Sequence, residues 1–156
     1  MGYNAFLKLD GVTGECSDDR YRGWIDVVSF SHGVHRQGVA DRVDHMDVSV
    51  IKYSDRASPL LALACCEGRH FREARLVVAR PEGAKTRFME LLLSDVVLSS
   101  YRPGGSVNGQ DVRPIEEVSL HYAKIEWIWV PSAFEPGRGE GEEVRTAWTL
   151  QANQPA

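Results

Sequence analysis

A mainly β fold with one short α-helix is what this sequence predicts, and three observations carry it. Apolar residues recur with period two through most of the chain, the spacing of half-buried strands. Only one segment carries helix signals at both ends. Two apolar runs, Thr86 to Tyr101 and Val112 to Val130, exceed the usual strand length of about 3–10 residues and carry apolar residues on both faces. Strands that long are bent, strongly twisted or covered on their outer side. A barrel with one face sealed by its neighbours meets that need.

The first strand is expected over residues 3–9, with Tyr3, Ala5, Leu7 and Leu9 on one side and Asn4 and Lys8 on the other. The polar stretch from Asp10 to Arg22, with Gly11 and Gly14, ends it as a loop. Residues 24–32 are rich in β-branched and aromatic side chains and read as one strand. Gly33 to His45 is charged and aperiodic, a loop or a protruding hairpin, and Met46 to Tyr53 alternates again. Ser58 is placed as the N-cap of the helix, Pro59 at its first position and Gly68 at its left-handed stop.

Beyond the helix the chain is nearly all strand. Phe71 to Arg80 is one, turning at Pro81-Glu82-Gly83. In the long run that follows, Phe88, Leu92, Val96 and Leu98 are assigned to one face, and Met89, Leu91, Leu93 and Val97 to the other. A turn-rich loop from Pro103 to Gly109 leads to the second long run, which ends in Trp127-Ile128-Trp129-Val130. Pro131 to Glu143 is a linker, and Val144 to Leu150 closes the chain as a strand. No internal repeat divides the 156 residues, so residues 1–156 are expected to form a single domain.

Composition narrows the function classes. A net charge of -4 supplies no global field for nucleic acid or an anionic membrane, and no apolar run approaches the ~20 residues that span a bilayer. The expectation is therefore no nucleic-acid partner and no membrane insertion. The start, Met1 to Leu9, lacks the basic and apolar regions of a signal peptide, so if the protein leaves the cell it is expected to do so by a route that reads no N-terminal signal. Three cysteines, Cys16, Cys65 and Cys66, are odd in number with two adjacent, and read as thiols in a reducing compartment.

Catalytic patterns are weak. His32, His35 and His45 lie near Asp41, Asp44 and Asp47 and offer ligands for a metal-dependent enzyme, but their spacing matches no tight ligand motif. His70 and His121 read as structural. Cys65 and Cys66 sit late in the helix, away from the end that favours a thiolate. There is no nucleophile elbow and no phosphate-binding glycine loop. The reading is a non-enzyme with no cofactor. Trp127 and Trp129 share a strand face, which leaves a solitary small-ligand barrel as the alternative.

The run Lys52-Tyr53-Ser54-Asp55-Arg56-Ala57-Ser58-Pro59 leading into a short helix resembles the haemolysin-coregulated protein (Hcp) family, the tube subunits of bacterial type VI secretion. Phe6-Leu7-Lys8-Leu9 with Gly11, Gly14 and Glu15 fits the family's opening. Gly68-Arg69-His70-Phe71, Val96 to Ser100, Glu117 to Ala123 and Ala147 to Asn153 follow in the same order. The resemblance implies a two-sheet β-barrel with one flanking helix, homo-hexameric rings that stack into a tube, expulsion by a contractile sheath, a spike protein at the tip, and secreted effectors in the lumen. By the same resemblance Ser29 and Ser31 are candidate lumen and cargo contacts. His35, Arg36, Asp41, Arg42, Asp44, Asp55, Ser58 and Pro59 are candidate ring-interface residues. In the family the loop holding the first five helps neighbouring rings or subunits meet, and it is often longer and richer in glycine than here.

Overall fold

The computed structural model describes residues 2–38, 42–81, 86–131 and 142–156. Asp41, most of the turn after Pro81 and most of the linker after Pro131 lie outside the described residues. Among the described residues the chain is mainly β, with two sheets of unequal size, nine strands and two, and one short helix.

β1 (Asn4–Leu9) pairs on one side with β2 (Ile25–Val27) and on the other with β7 (His70–Ala79). Leu7 and Leu9 enter the main core. Phe6, on the side read as polar, is buried too: the loop after β1 folds back, and Tyr21 stacks on Phe6 with ring centroids 4.3 Å apart. The alternation missed this because the cover is a loop without period. Gly14 makes the fold-back possible. Its N–H donates to Gly23 O at 2.7 Å, and a Cβ there would lie 2.4 Å from Trp24 O.

The segment expected as one strand over 24–32 is broken. β2 bonds β1, whereas β3 (Ser29–Ser31) bonds β6 (Val48–Tyr53); Val28, at the bend between them, donates its N–H to Ile51 O at 2.7 Å. From Gly33 onward the hairpin option is realised, as a separate ribbon of β4 (Val34–Arg36) and β5 (Val43–His45).

β8 (Arg87–Gly104) and β9 (Ile115–Trp129) form the long central hairpin. The two-face assignment of β8 is corrected here: Leu91, Leu93, Val96 and Leu98 all enter the same core. The buried parity switches between Leu93 and Val96, where Asp95 takes a left-handed φ of 52°. Its neighbours switch at the same rung, β7 between Phe71 and Ala74 and β9 between Tyr122 and Ile125. Three strands thus change pitch together, which a period-two reading of one strand cannot anticipate.

The second long side of β9 is divided between two partners. β6 pairs with Ile115 to Leu120, and β10 (Val144–Thr149) pairs with Lys124 to Trp129. A short β11 (Gln154–Pro155), not expected from the sequence, borders β10.

Candidate functional site

α1 (Ser58–Glu67) has the expected length, Pro59 in its first turn and Gly68 at φ 63° accepting the left-handed stop. Its start is different. Ala57 is the N-cap, and the Asp55 carboxylate accepts the Ala57 N–H at 2.9 Å. Ser58 is the first helical residue and turns inward, its Oγ accepting the Asp55 N–H at 2.9 Å and donating to Glu116 Oε1 at 2.7 Å. Serine after a turn is a good cap by type, but here its oxygen accepts the N–H of Asp55, behind the helix, while its proton goes to Glu116.

That carboxylate organises the site. Lys52 is fully buried, and its Nζ donates to Glu116 Oε1 and, at 3.0 Å, to Asp55 Oδ1. Ser54 Oγ and the Tyr101 hydroxyl donate to Glu116 Oε2 at 3.1 and 2.8 Å. Register explains the meeting: Lys52 on β6 is paired with Glu116 on β9, on the core side of the sheet. Lysine and serine of the Lys-Tyr-x-Asp-x-x-Ser-Pro run therefore converge on one glutamate, and the aspartate meets the same ammonium. Glu116 carried no signal of its own in the sequence, since one of two adjacent acids at the start of a strand reads as an outward residue.

Burial pushes the Glu116 carboxyl up, but the donors Lys52, Ser58 and Tyr101 outweigh it and hold the group below its ordinary value. A depressed carboxylate gives stability that is present above the unfolded value, about 4.3, and lost as pH falls through the folded one. Urea midpoints measured from about pH 6 down to about pH 3 should fall. The fall should flatten in a K52M/E116L double variant; an equal fall in that variant would assign the acid sensitivity elsewhere.

A charged and polar surface lies on the opposite side of the same strands. Ser29 and Ser31 are exposed on β3, beside Ile51 and Ser49, with Phe30 between them turned inward. Ser49 Oγ meets Ser119 Oγ at 3.0 Å, and Ser99 Oγ donates to Asp47. His121 Nδ1 lies 3.0 Å from the other oxygen of Asp47.

Four candidate contacts sit on the ribbon, all exposed: His35 and Asp44, which are paired across it, Arg36 and Arg42. Pro59 is exposed as well, with Leu60 and Leu63 beyond it. Asp55 and Ser58, in contrast, spend their side chains inside the subunit. Among the described residues no three acidic, histidine or cysteine side chains gather as metal ligands.

The sequence model described as "Type VI secretion system effector, Hcp" matches residues 6–129. The protein hcp1 of Pseudomonas aeruginosa is 30% identical over 165 residues and is aligned over 100% of both chains. This chain belongs to the Hcp family. Its fold is similar to that of Hcp1 from Salmonella typhimurium, with a TM-score of 0.85 and 25% identity over 100% of each chain. A further solved structure, of a type six secretion system protein, gives a TM-score of 0.89 at 28% identity, covering 99% of this chain and 100% of that one.

Within this Hcp fold the remaining candidates take definite positions. Trp127 is no open platform: it packs on the main core and meets the rings of His32 and His45, each at 6.2 Å. Trp129 is 41% exposed and packs edge-on against Phe88 at 5.6 Å. His32 and His45 come together around Tyr122, while His35 stays out on the ribbon. Cys16 is buried under the loop after β1, where burial pushes its thiol up, and Cys66 is exposed at the end of α1.

Proposed function

We propose that this Hcp chain is a structural subunit of the type VI secretion tube, with six copies closing a ring and rings stacking into the tube. The supporting observation is likeness over 99–100% of this chain to Hcp proteins and to a type six secretion system protein. In this reading the nine-stranded sheet closes as a barrel through the bend at Val28, which hands the chain from β1 to β6. A ring needs two different surfaces on each copy, because a head-to-tail contact is not self-complementary. The ribbon with His35, Arg36, Arg42 and Asp44 is one candidate, and the helix entry at Pro59 is another.

The serine face of β3 and β6 fits a lumen wall. Small hydroxyls leave space and make adaptable contacts, which suits passage or carriage of effectors of varied sequence. Spike and sheath are the other partners this role requires, and release from the cell follows assembly.

Native mass measurement tests the proposal. The expected particle is about six times the 17.4 kDa chain, annular in negative stain. A single copy that persists at high protein concentration would overturn the ring. Ser29→Trp with Ser31→Trp should leave ring mass unchanged and reduce effector retention; unchanged retention removes the lumen assignment and spares the ring.

A further inference from the structure

The ribbon leaves the molecule between two histidines. His32 precedes β4, and His45 ends β5. Below them lies the Tyr122 hydroxyl, 3.5 Å from His32 Nδ1 and 3.4 Å from His45 Nδ1. Its single proton goes to Met46 O at 3.0 Å. It therefore meets both rings with lone pairs, and each neutral imidazole turns an Nδ1–H toward it and keeps a bare Nε2. Both Nε2 atoms are buried and lack a hydrogen-bond partner among the described residues. His45 also stacks on Trp148 at 6.4 Å. A proton on either Nε2 would create a buried donor with no acceptor, beside a second ring of the same kind.

The other titratable groups here do not relieve that. Tyr122 and His121 come from β9, and burial pushes the Tyr122 hydroxyl far up, so it stays neutral. Asp47, on the link from β5 to β6, has one oxygen with His121 and the other with Ser99. From β10 the pair is met by Trp148.

We propose that the ribbon is an acid-opened element: protonation of His32 and His45 frees its base from Tyr122, Trp127 and Trp148 while the nine-stranded sheet stays folded. A lone two-stranded ribbon is marginal in water, so its order depends on what holds its base. Here that is the imidazole cluster and the Met46 N–H to Gly33 O bond of 2.9 Å. Burial lowers the proton affinity of both rings, and for His32 the neighbouring His45 adds to this against a raising contact with the Met46 backbone. The sign follows: the closed ribbon favours neutral rings, so its stability is whole above the ordinary histidine value of about 6.5 and is lost as pH falls below it. Each histidine contributes up to about tenfold per pH unit in that window.

Hydrogen exchange of the ribbon amides, corrected for intrinsic rates, tests this on the subunit whether or not rings form. Between about pH 7.5 and about pH 5.5, protection over Val34–Arg36 and Val43–His45 should drop at least about tenfold, while β7 and β8 hold theirs. An H32F/H45F variant should show no such drop. Equal protection at both pH values, or the same drop in the variant, overturns the proposal. Should that variant not fold, an NMR titration of the wild-type imidazoles decides: midpoints below about 6.5 support it, and midpoints at or above that value overturn it.

Discussion

Lys52→Met is expected to cost about 3–5 kcal/mol, measured by urea unfolding at neutral pH and fixed protein concentration. The lysine is fully buried, and so is the Glu116 side chain it bonds. Removing the ammonium leaves two enclosed carboxylates, Asp55 and Glu116, the latter with three hydroxyl donors from Ser54, Ser58 and Tyr101. Those donors soften the loss without supplying the missing charge. Desolvating two ions is itself expensive, so replacing both should be far milder than replacing one. The K52M/E116L double variant is expected to lose less than Lys52→Met alone, its remaining cost coming from Asp55, which still lacks the ammonium. A Lys52→Met loss below about 1 kcal/mol would show that water or relaxation compensates the glutamate, and the network would no longer explain the motif.

Gly14→Ala is the second large effect, about 3 kcal/mol or more. A Cβ at this position would lie 2.4 Å from Trp24 O and 2.8 Å from Ile25 Cα, both backbone atoms that cannot rotate away. The loop can admit the methyl only by lifting from β2, which breaks the Gly14 N–H to Gly23 O and Cys16 N–H to Trp24 O bonds. Tyr21 would then leave Phe6, and Phe6 would meet water. Thermal unfolding should drop, with near-ultraviolet dichroism reporting the loss of the Phe6, Tyr21 and Trp24 cluster. Gly11→Ala is the contrasting substitution. Its Cβ would meet only the end of the Arg69 side chain, so its cost comes from the φ of 80°. Equal stability of Gly14→Ala and wild type would mean that the loop does not pack on β1 as described.

Much of this fold was legible. Period two located the strands, and Pro59 with Gly68 bounded the helix. What escaped depends on neighbours distant in sequence. Phe6 looked like part of a solvent face because its cover comes from Tyr21, in a segment without period. The faces of β8 were misassigned because alternation assumes a constant pitch, whereas β7, β8 and β9 change parity together beside Asp95.

The site was half legible. The run from Lys52 to Pro59 was recognised as a pattern, but its mechanism required Glu116, 64 residues beyond Lys52. Likewise His32 and His45 were first weighed as metal ligands together with His35. Ribbon pairing puts His35 opposite Asp44, away from the other two, and the sequence held no signal for Tyr122 beneath them.

The divided side of β9 bears on how such chains can diverge. β6 lets go at Leu120 and β10 takes hold at Lys124, and the segment between His32 and Asp47 emerges above that fork. Residues gained or lost in the projecting segment therefore need not slide any strand along its partner. Length variation can accumulate there while both ladders keep their rungs, so lineages sharing this scaffold are free to reshape what projects from it.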